Sequence, residues 1–250
     1  MSMDISVVNF TRTLKDEAIQ KVIRAVNLQI ALDFEPYWHT GAVLRLEGAG
    51  TRLRRQAPAE LRGDAILYLW DKKADVSDAV GYHWANNKGL PYGFVFTQIA
   101  RQMREPWSVT FSHEALELIG DPEANLFSAG PHPRHPERTV YFWYEMCDAV
   151  QDDSYKIMDV EVSNFVLPLY FKLKAGAGGY TDFLGRRHKG KRLKPFGVNP
   201  GGYVGFFDPH AGKAGRNGTF EADQRAQRRL KIRSALGVGN RGVRYGNPAR

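Results

Sequence analysis

Read as a string of apolar and polar positions, the first 170 residues switch between a period of two and a period of 3.6. Ile5 to Phe10 is a short β-branched run and predicts a strand. Over 14–32, Leu14, Ala18, Ile19, Val22, Ile23, Val26 and Ile30 follow the helical repeat and give one buried face. Thr13, with Asp16 in the first turn, is the predicted cap. Ala42–Leu46 predicts the next strand, and a polar, Arg-rich connection follows from Gly48 to Arg62. Asp64–Trp70 is apolar almost throughout and predicts a central strand. Tyr82–Trp84 and Gly93–Phe96 predict two short strands around an Asn-Asn-Lys-Gly turn at 86–89. Trp107–Gly120 predicts a second helix, Val140–Tyr144 a strand, and Asn164–Phe171 an apolar segment of undecided type. Phe220–Leu236 predicts a basic helix. There is no internal repeat.

This order predicts an α/β (α+β) fold: a mixed twisted sheet, a long N-terminal helix and a second helix that carries a motif. No apolar run approaches the roughly 18–20 residues of a membrane span. The N-terminus has no basic and apolar leader, so the expectation is a cytoplasmic protein without a membrane partner. A single cysteine, Cys147, excludes an internal disulfide and a cluster built of cysteines. It reads as a small buried apolar residue.

Charge changes the picture of the C-terminal third. The chain carries a formal +8, but residues 172–250 hold 18 Lys and Arg against 4 Asp and Glu, a balance of +14. Residues 1–171 therefore balance at −6. The expected division is an α/β domain over 1–171 and a basic, Gly-rich extension over 172–250. The stretches 175–218 and 237–250 are expected to be flexible or held by a partner. Arg186, Arg187, Lys189, Lys191 and Arg192 are the candidate contacts to nucleic acid or another partner, with Tyr180, Phe183, Phe196 and Tyr203 as candidate stacking residues. Gly176–Gly179 and Asn199–Gly202 fit no phosphate-binding pattern and read as turns.

Candidate chemistry sits on the second helix, in Ser112-His113-Glu114-Ala115-Leu116-Glu117-Leu118-Ile119-Gly120-Asp121-Pro122-Glu123. His113 and Glu117 are four apart and project from one helical face. An imidazole and a carboxylate so placed can share a divalent ion. Glu114, beside the first ligand, stands where a general base for metal-bound water would stand. Asp121, Glu145 and Asp148 are alternative ligands. Glu145, Asp148, Asp152 and Asp153 form an acidic set without the spacing of a calcium loop. His83, His132 and His135 read as structural or loop residues.

The motif resembles the HExxHxxGxxH/D pattern of the metzincin clan of zinc metallopeptidases. That resemblance implies Zn2+ held by His113, Glu117 and Glu123, Glu114 as base, Gly120 as the turn glycine, and Met146 as a methionine beneath the metal. Glu117 and Glu123 depart from the clan's ligands and make the site richer in oxygen. The order of elements before the helix is also similar to the clan's core. By that likeness Leu90–Phe96 is the edge strand that aligns an extended peptide, through Leu90, Tyr92 and Phe94. Residues 80–170 further resemble a family of bacterial and phage proteins, through the motif helix with Asp121-Pro122, Tyr144-Glu145-Met146-Cys147-Asp148 and Val162–Val166. Three functions follow as expectations. One is a metal-dependent hydrolase acting on a peptide or protein. Another is a structural or assembly protein, a homo-oligomer or virion component with a basic arm. The third is nucleic-acid binding through the C-terminal third.

Overall fold

The computed structural model describes residues 2–48, 63–72, 83–85, 90–173, 179–213 and 215–235, with backbone alone at 83–85 and 233–235. The predicted turn at 86–89, most of the connection at 48–62, most of the turn at 176–179 and the stretch 237–250 lie outside the described residues.

The β-branched N-terminus forms β1 (Ser2–Asn9), and the amphipathic stretch after it forms α1 (Asp16–Leu28). Ile19, Val22, Ile23 and Val26 on α1 are buried, as the helical spacing required. The start of α1 departs from expectation. Lys15 occupies the cap position without a side-chain bond, and the Thr13 hydroxyl instead donates to Asp71 Oδ1 at 3.2 Å. The helix widens into a π-helical stretch over Gln29–Phe34 and returns to α in the short α2 (Glu35–Trp38). Within the π-helical stretch Gln29 is buried in the core, where its amide nitrogen, Nε2, donates to the Ser163 carbonyl at 2.8 Å.

The strands β2 (Gly41–Leu46), β3 (Ala65–Trp70), β4 (His83–Ala85) and β5 (Pro91–Phe96) join β1 in a sheet of order β2-β1-β3-β5-β4. The pairs β1–β2, β1–β3 and β3–β5 are parallel, and β4 pairs antiparallel to β5. All six residues of β3 are buried, which is why the segment is apolar throughout rather than alternating. One face of the sheet, with Ile5, Val7, Leu67 and Val95, joins α1 and the motif helix in the main core. The other face carries an aromatic cluster, Tyr68 to Phe94 at 5.1 Å and Phe94 to Phe96 at 5.6 Å between centroids. At the outer edge of β2 the Asn27 side chain meets Leu44 twice. Its Nδ2 donates to the Leu44 carbonyl at 2.9 Å, and its Oδ1 accepts the Leu44 N–H at 2.8 Å.

Two helices follow β5: α3 (Thr97–Met103) and the motif helix α4 (Trp107–Gly120). Every residue from Ser108 to Ile119 is buried, so α4 is a central rather than a surface helix. Its polar residues face specific partners. Ser112 Oγ accepts the Ser163 N–H at 2.6 Å, and Ser108 Oγ donates to the Glu161 carbonyl at 2.7 Å. Those partners belong to a hairpin of β8 (Ser154–Ile157) and β9 (Val160–Ser163). A second sheet is antiparallel, in the order β11-β10-β7-β6. It contains β6 (Phe127–Pro131), β7 (Thr139–Trp143), β10 (Tyr203–Asp208) and β11 (Arg216–Glu221). The undecided segment after Asn164 holds a bridge between Val166 and Asp182 and a 3-10 turn at Pro168–Phe171.

The C-terminal third thus contributes two strands to this sheet. Leu193, Phe196, Val204 and Phe206 lie in the same core as Ile5 and Leu118, so packing does not break at residue 171. The cations of 179–213 and most of its glycines lie in loops around those apolar anchors, and the stretch is folded rather than free. The basic helix α5 (Gln224–Ala235) starts later than expected, because Phe220 belongs to β11. Asp223 caps it, accepting the N–H groups of Arg225 and Ala226 at 2.9 and 3.0 Å.

Candidate metal centre

The helical repeat of α4 carries His113 and Glu117 to one face, and the turn after β7 brings Glu145, Met146, Cys147 and Asp148 against it. His113 Nε2 lies 3.2 Å from Glu117 Oε2 and 3.3 Å from Asp148 Oδ1. Glu117 Oε1 accepts the Cys147 N–H at 3.1 Å, and the Cys147 thiol reaches the His113 carbonyl at 3.8 Å. His113, Glu117 and Cys147 offer ligand atoms within 4.8 Å of one another. So do Glu117, Glu145 and Asp148. His113, Glu114, Glu117, Cys147 and Asp148 are all at most 5% exposed.

Electrostatics in this cluster are strong because water is excluded. Burial works to lower the His113 pKa, but the charge of Glu117, the close approach of the Asp148 and Glu117 carboxylates, and the charge of Glu114 outweigh it. The imidazole is held well above its usual value. Burial, then the charges of Glu117, Asp148 and Glu114, push the Cys147 thiol well up. Despite its two carboxylate neighbours, His113 Nε2 has no aligned hydrogen bond. An ion about 2.0–2.2 Å from nitrogen and oxygen ligands in a tetrahedron separates them by about 3.3–3.6 Å. The 3.2 and 3.3 Å separations around Nε2 are close to that spacing. The donor set therefore fits a metal ion, and a bound dication would hold the Cys147 sulfur as thiolate against the upward push.

Of the residues singled out in the sequence, the structure gathers His113, Glu117, Glu145 and Asp148, with Glu114 close enough for its charge to act on His113. Glu123 does not join them. It is exposed on the loop beyond α4, where its Oε2 accepts Asn125 Nδ2 at 2.9 Å. The chain turns away because Asp121, buried at the helix end, accepts the N–H groups of Asn125 and Leu126 at 3.1 and 2.9 Å. Asp121 is thus spent on that turn. Cys147 is the ligand candidate that reading the sequence missed. The signal was there in Glu145-Met146-Cys147-Asp148, three donor residues in four positions, but its neighbour His113 is 34 residues away. Met146 is fully buried with its side chain packed under Gly120, leaving no room for a Cβ there.

The strand expected at the edge is not at the edge. β5 lies between β3 and β4, and β4 covers its outer side at Pro91–Gly93. Tyr92 and Phe94 pack with Tyr68 on the aromatic face, and Leu90 lies against the same cluster. The calcium-like acidic set also divides. Asp152 pairs with Arg225 and Arg229 at 2.6 and 2.7 Å, whereas Asp153 binds Asn199 and His188 at 2.9 and 3.1 Å. His132 organises its own loop, its Nδ1 accepting the N–H groups of Arg134 and His135.

The five basic candidates stand together on an ordered turn. His188 and Lys191 pair with each other's backbone at 2.9 and 3.1 Å, and Lys189 and Gly190 between them have φ of 50° and 78°. Positive φ at both central positions is the hallmark of a tight hairpin turn. Arg186, Arg187, Lys189, Lys191 and Arg192 are all exposed on it. Its base is fixed by His188 to Asp153, by Arg186 to the Ser154 carbonyl, and by Arg192 over the Tyr180 ring at 4.4 Å. Tyr180 is the exposed member of the expected stacking set. Phe196 and Tyr203 are buried and Phe183 packs against the core.

The chain matches no family model, no curated protein and no solved structure. No helix among the described residues is long and apolar enough to cross a membrane.

Proposed function

We propose that this protein is a zinc-binding protein with a zincin-like body, in which the ion fastens the turn 145–148 to α4 and does not turn over substrate. The observation that carries the reading is the gathering of the buried side chains of His113, Glu117 and Cys147, with their ligand atoms within 4.8 Å of one another and Asp148 Oδ1 3.3 Å from the imidazole. A catalytic zinc keeps one position open to water and substrate, whereas a structural zinc is closed by protein ligands. Burial of His113, Glu117 and Cys147 favours the second. The mixed sheet followed by a motif helix supports the zincin likeness. Purified protein should contain zinc, and a chelator should lower its melting temperature. Zinc-free protein whose melting is indifferent to chelator refutes the proposal. Zinc-dependent peptide hydrolysis that disappears in Glu114→Gln restores the peptidase reading in its place.

The ordered basic turn favours a second activity, binding of nucleic acid. Five exposed cations in seven residues can neutralise about five phosphates, for which log K should fall with log salt at a slope of about −3.5 to −4.5. Changing Arg187, Lys189 and Lys191 to Gln should flatten that slope by about two to three. A slope unchanged by the triple substitution rules the turn out as the contact.

A further inference from the structure

Two donor groups meet at Glu117, and they differ in chemistry. His113, Glu117 and Cys147 combine nitrogen, oxygen and sulfur, a set that suits zinc. Glu117, Glu145 and Asp148 offer only carboxylate oxygen, a set that suits a hard ion such as Mn2+ or Mg2+. Glu117 belongs to both, offering a carboxylate oxygen within 4.8 Å of the ligand atoms of either group. Oε2 faces His113 Nε2 at 3.2 Å, and Oε1 lies beside the Cys147 backbone at 3.1 Å. His113 Nε2, 2% exposed and without an aligned hydrogen bond, points at the junction between the groups, toward Glu117 and Asp148.

We infer that the centre holds two metal ions bridged by the Glu117 carboxylate, a zinc in the deep His113–Cys147 subsite and a hard divalent ion in the Glu145–Asp148 subsite. Paired ions in proteins lie about 3.5–4 Å apart, a separation that one carboxylate can bridge. Exposure orders the two subsites. His113, Cys147 and Asp148 are buried and Glu145 is half-buried, so the hard subsite is the less deeply buried of the two. The hard ion therefore exchanges faster than the zinc.

This inference rests on the zinc-binding reading, and the experiment separates the two. Full-length protein is stripped with chelator, reloaded with one equivalent of zinc and titrated with Mn2+, followed by elemental analysis and by the electron paramagnetic resonance of free Mn2+. One further equivalent of bound Mn2+ is expected. Glu145→Gln should weaken Mn2+ binding at least tenfold and leave the zinc equivalent in place. Cys147→Ser should do the reverse. As a check independent of those variants folding, Co2+ in the zinc subsite of the unaltered protein should give a thiolate-to-metal absorption band that survives Mn2+ addition. A total of one equivalent, or Mn2+ displacing Co2+ from the thiolate, overturns the two-ion centre and leaves the zinc-binding reading standing. Mn2+ uptake that persists in both Glu145→Gln and Asp148→Asn also overturns it. Protein that takes up neither metal sinks both proposals.

Discussion

Arg229 on α5 is the cation whose removal should cost most. Its side chain is 9% exposed, and its Nη2 stands 3.1 Å from Glu105 Oε2 and 2.7 Å from Asp152 Oδ1, themselves 7% and 12% exposed. Arg229→Ala leaves two largely buried carboxylates, Glu105 and Asp152, without the cation they share. Breaking a buried pair from one side costs about 3–5 kcal/mol. Asp152 keeps Arg225 at 2.6 Å, but that arginine is 75% exposed, and such a contact contributes only about 0.2–1 kcal/mol. Glu105 keeps the Thr110 hydroxyl, which donates to its other oxygen at 3.1 Å. These residual partners place the expected loss near the lower end, about 3 kcal/mol. For a chain of this size that lowers the melting temperature by about 6–12 °C. Thermal and urea unfolding followed by circular dichroism read the change, and Arg225→Ala is the control, expected within about 1 kcal/mol of the parent. The Glu105→Gln, Asp152→Asn, Arg229→Met triple variant should recover most of the loss, because no buried charge is left unpaired. If Arg229→Ala costs no more than Arg225→Ala, the buried network does not fasten α5 to the body and the reasoning fails.

Ser112→Ala should destabilise by about 1–3 kcal/mol, since it strands the buried Ser163 N–H now bonded at 2.6 Å; a urea midpoint unchanged from the parent contradicts this. Asp223→Ala should cost about 1 kcal/mol by uncapping α5. Burial alone would raise the Asp223 pKa, but the N–H groups of Ala226, Gly201 and Arg225 and the Arg225 charge together hold it below the ordinary 3.8. Its contribution is therefore complete above the unfolded value and fades as pH falls through the lower folded value. Unfolding measured at pH 7 and at pH 2 should show the gap between parent and Asp223→Ala narrowing with acid. Burial sets Asp33 the other way: its pKa is raised, with the Tyr155 hydroxyl, 2.7 Å from Oδ2, pulling it partly back. Tyr155→Phe should raise it further, which the carboxyl carbon shift in a nuclear magnetic resonance titration reports.

Local patterns made the fold readable where the physics was local. The spacing of Ile19, Val22, Ile23 and Val26 settles α1, and the apolar run from Ala65 to Trp70 settles β3 as a strand covered on both faces. Where pairing is between distant segments, the pattern was silent. Nothing in Leu90–Phe96 tells that β4 will add outside it, so an interior strand read as an edge. Composition misled over the C-terminal third, since Leu193, Phe196, Val204 and Phe206 are few among many glycines and cations yet suffice to anchor two strands. At the site, the i, i+4 pair of His113 and Glu117 was legible because one helix presents both. The reach to Glu123 failed because Asp121 bonds the next backbone groups and bends the chain outward. Asp148 was legible only as one alternative among several acidic residues, and Cys147 needed a tertiary contact that no spacing encodes.

The amide of Asn27 has a bearing on how this protein can behave in a crowd. By occupying both backbone groups of Leu44, it presents to an arriving strand a position already bonded, as if the next strand were in place. Open β-edges are where chains stack on one another without limit. One side chain from α1 thus acts as a stopper on lateral growth at the β2 edge. Asn27→Ala reopens that position, and the light scattering of the variant should rise faster with time and concentration than that of the parent.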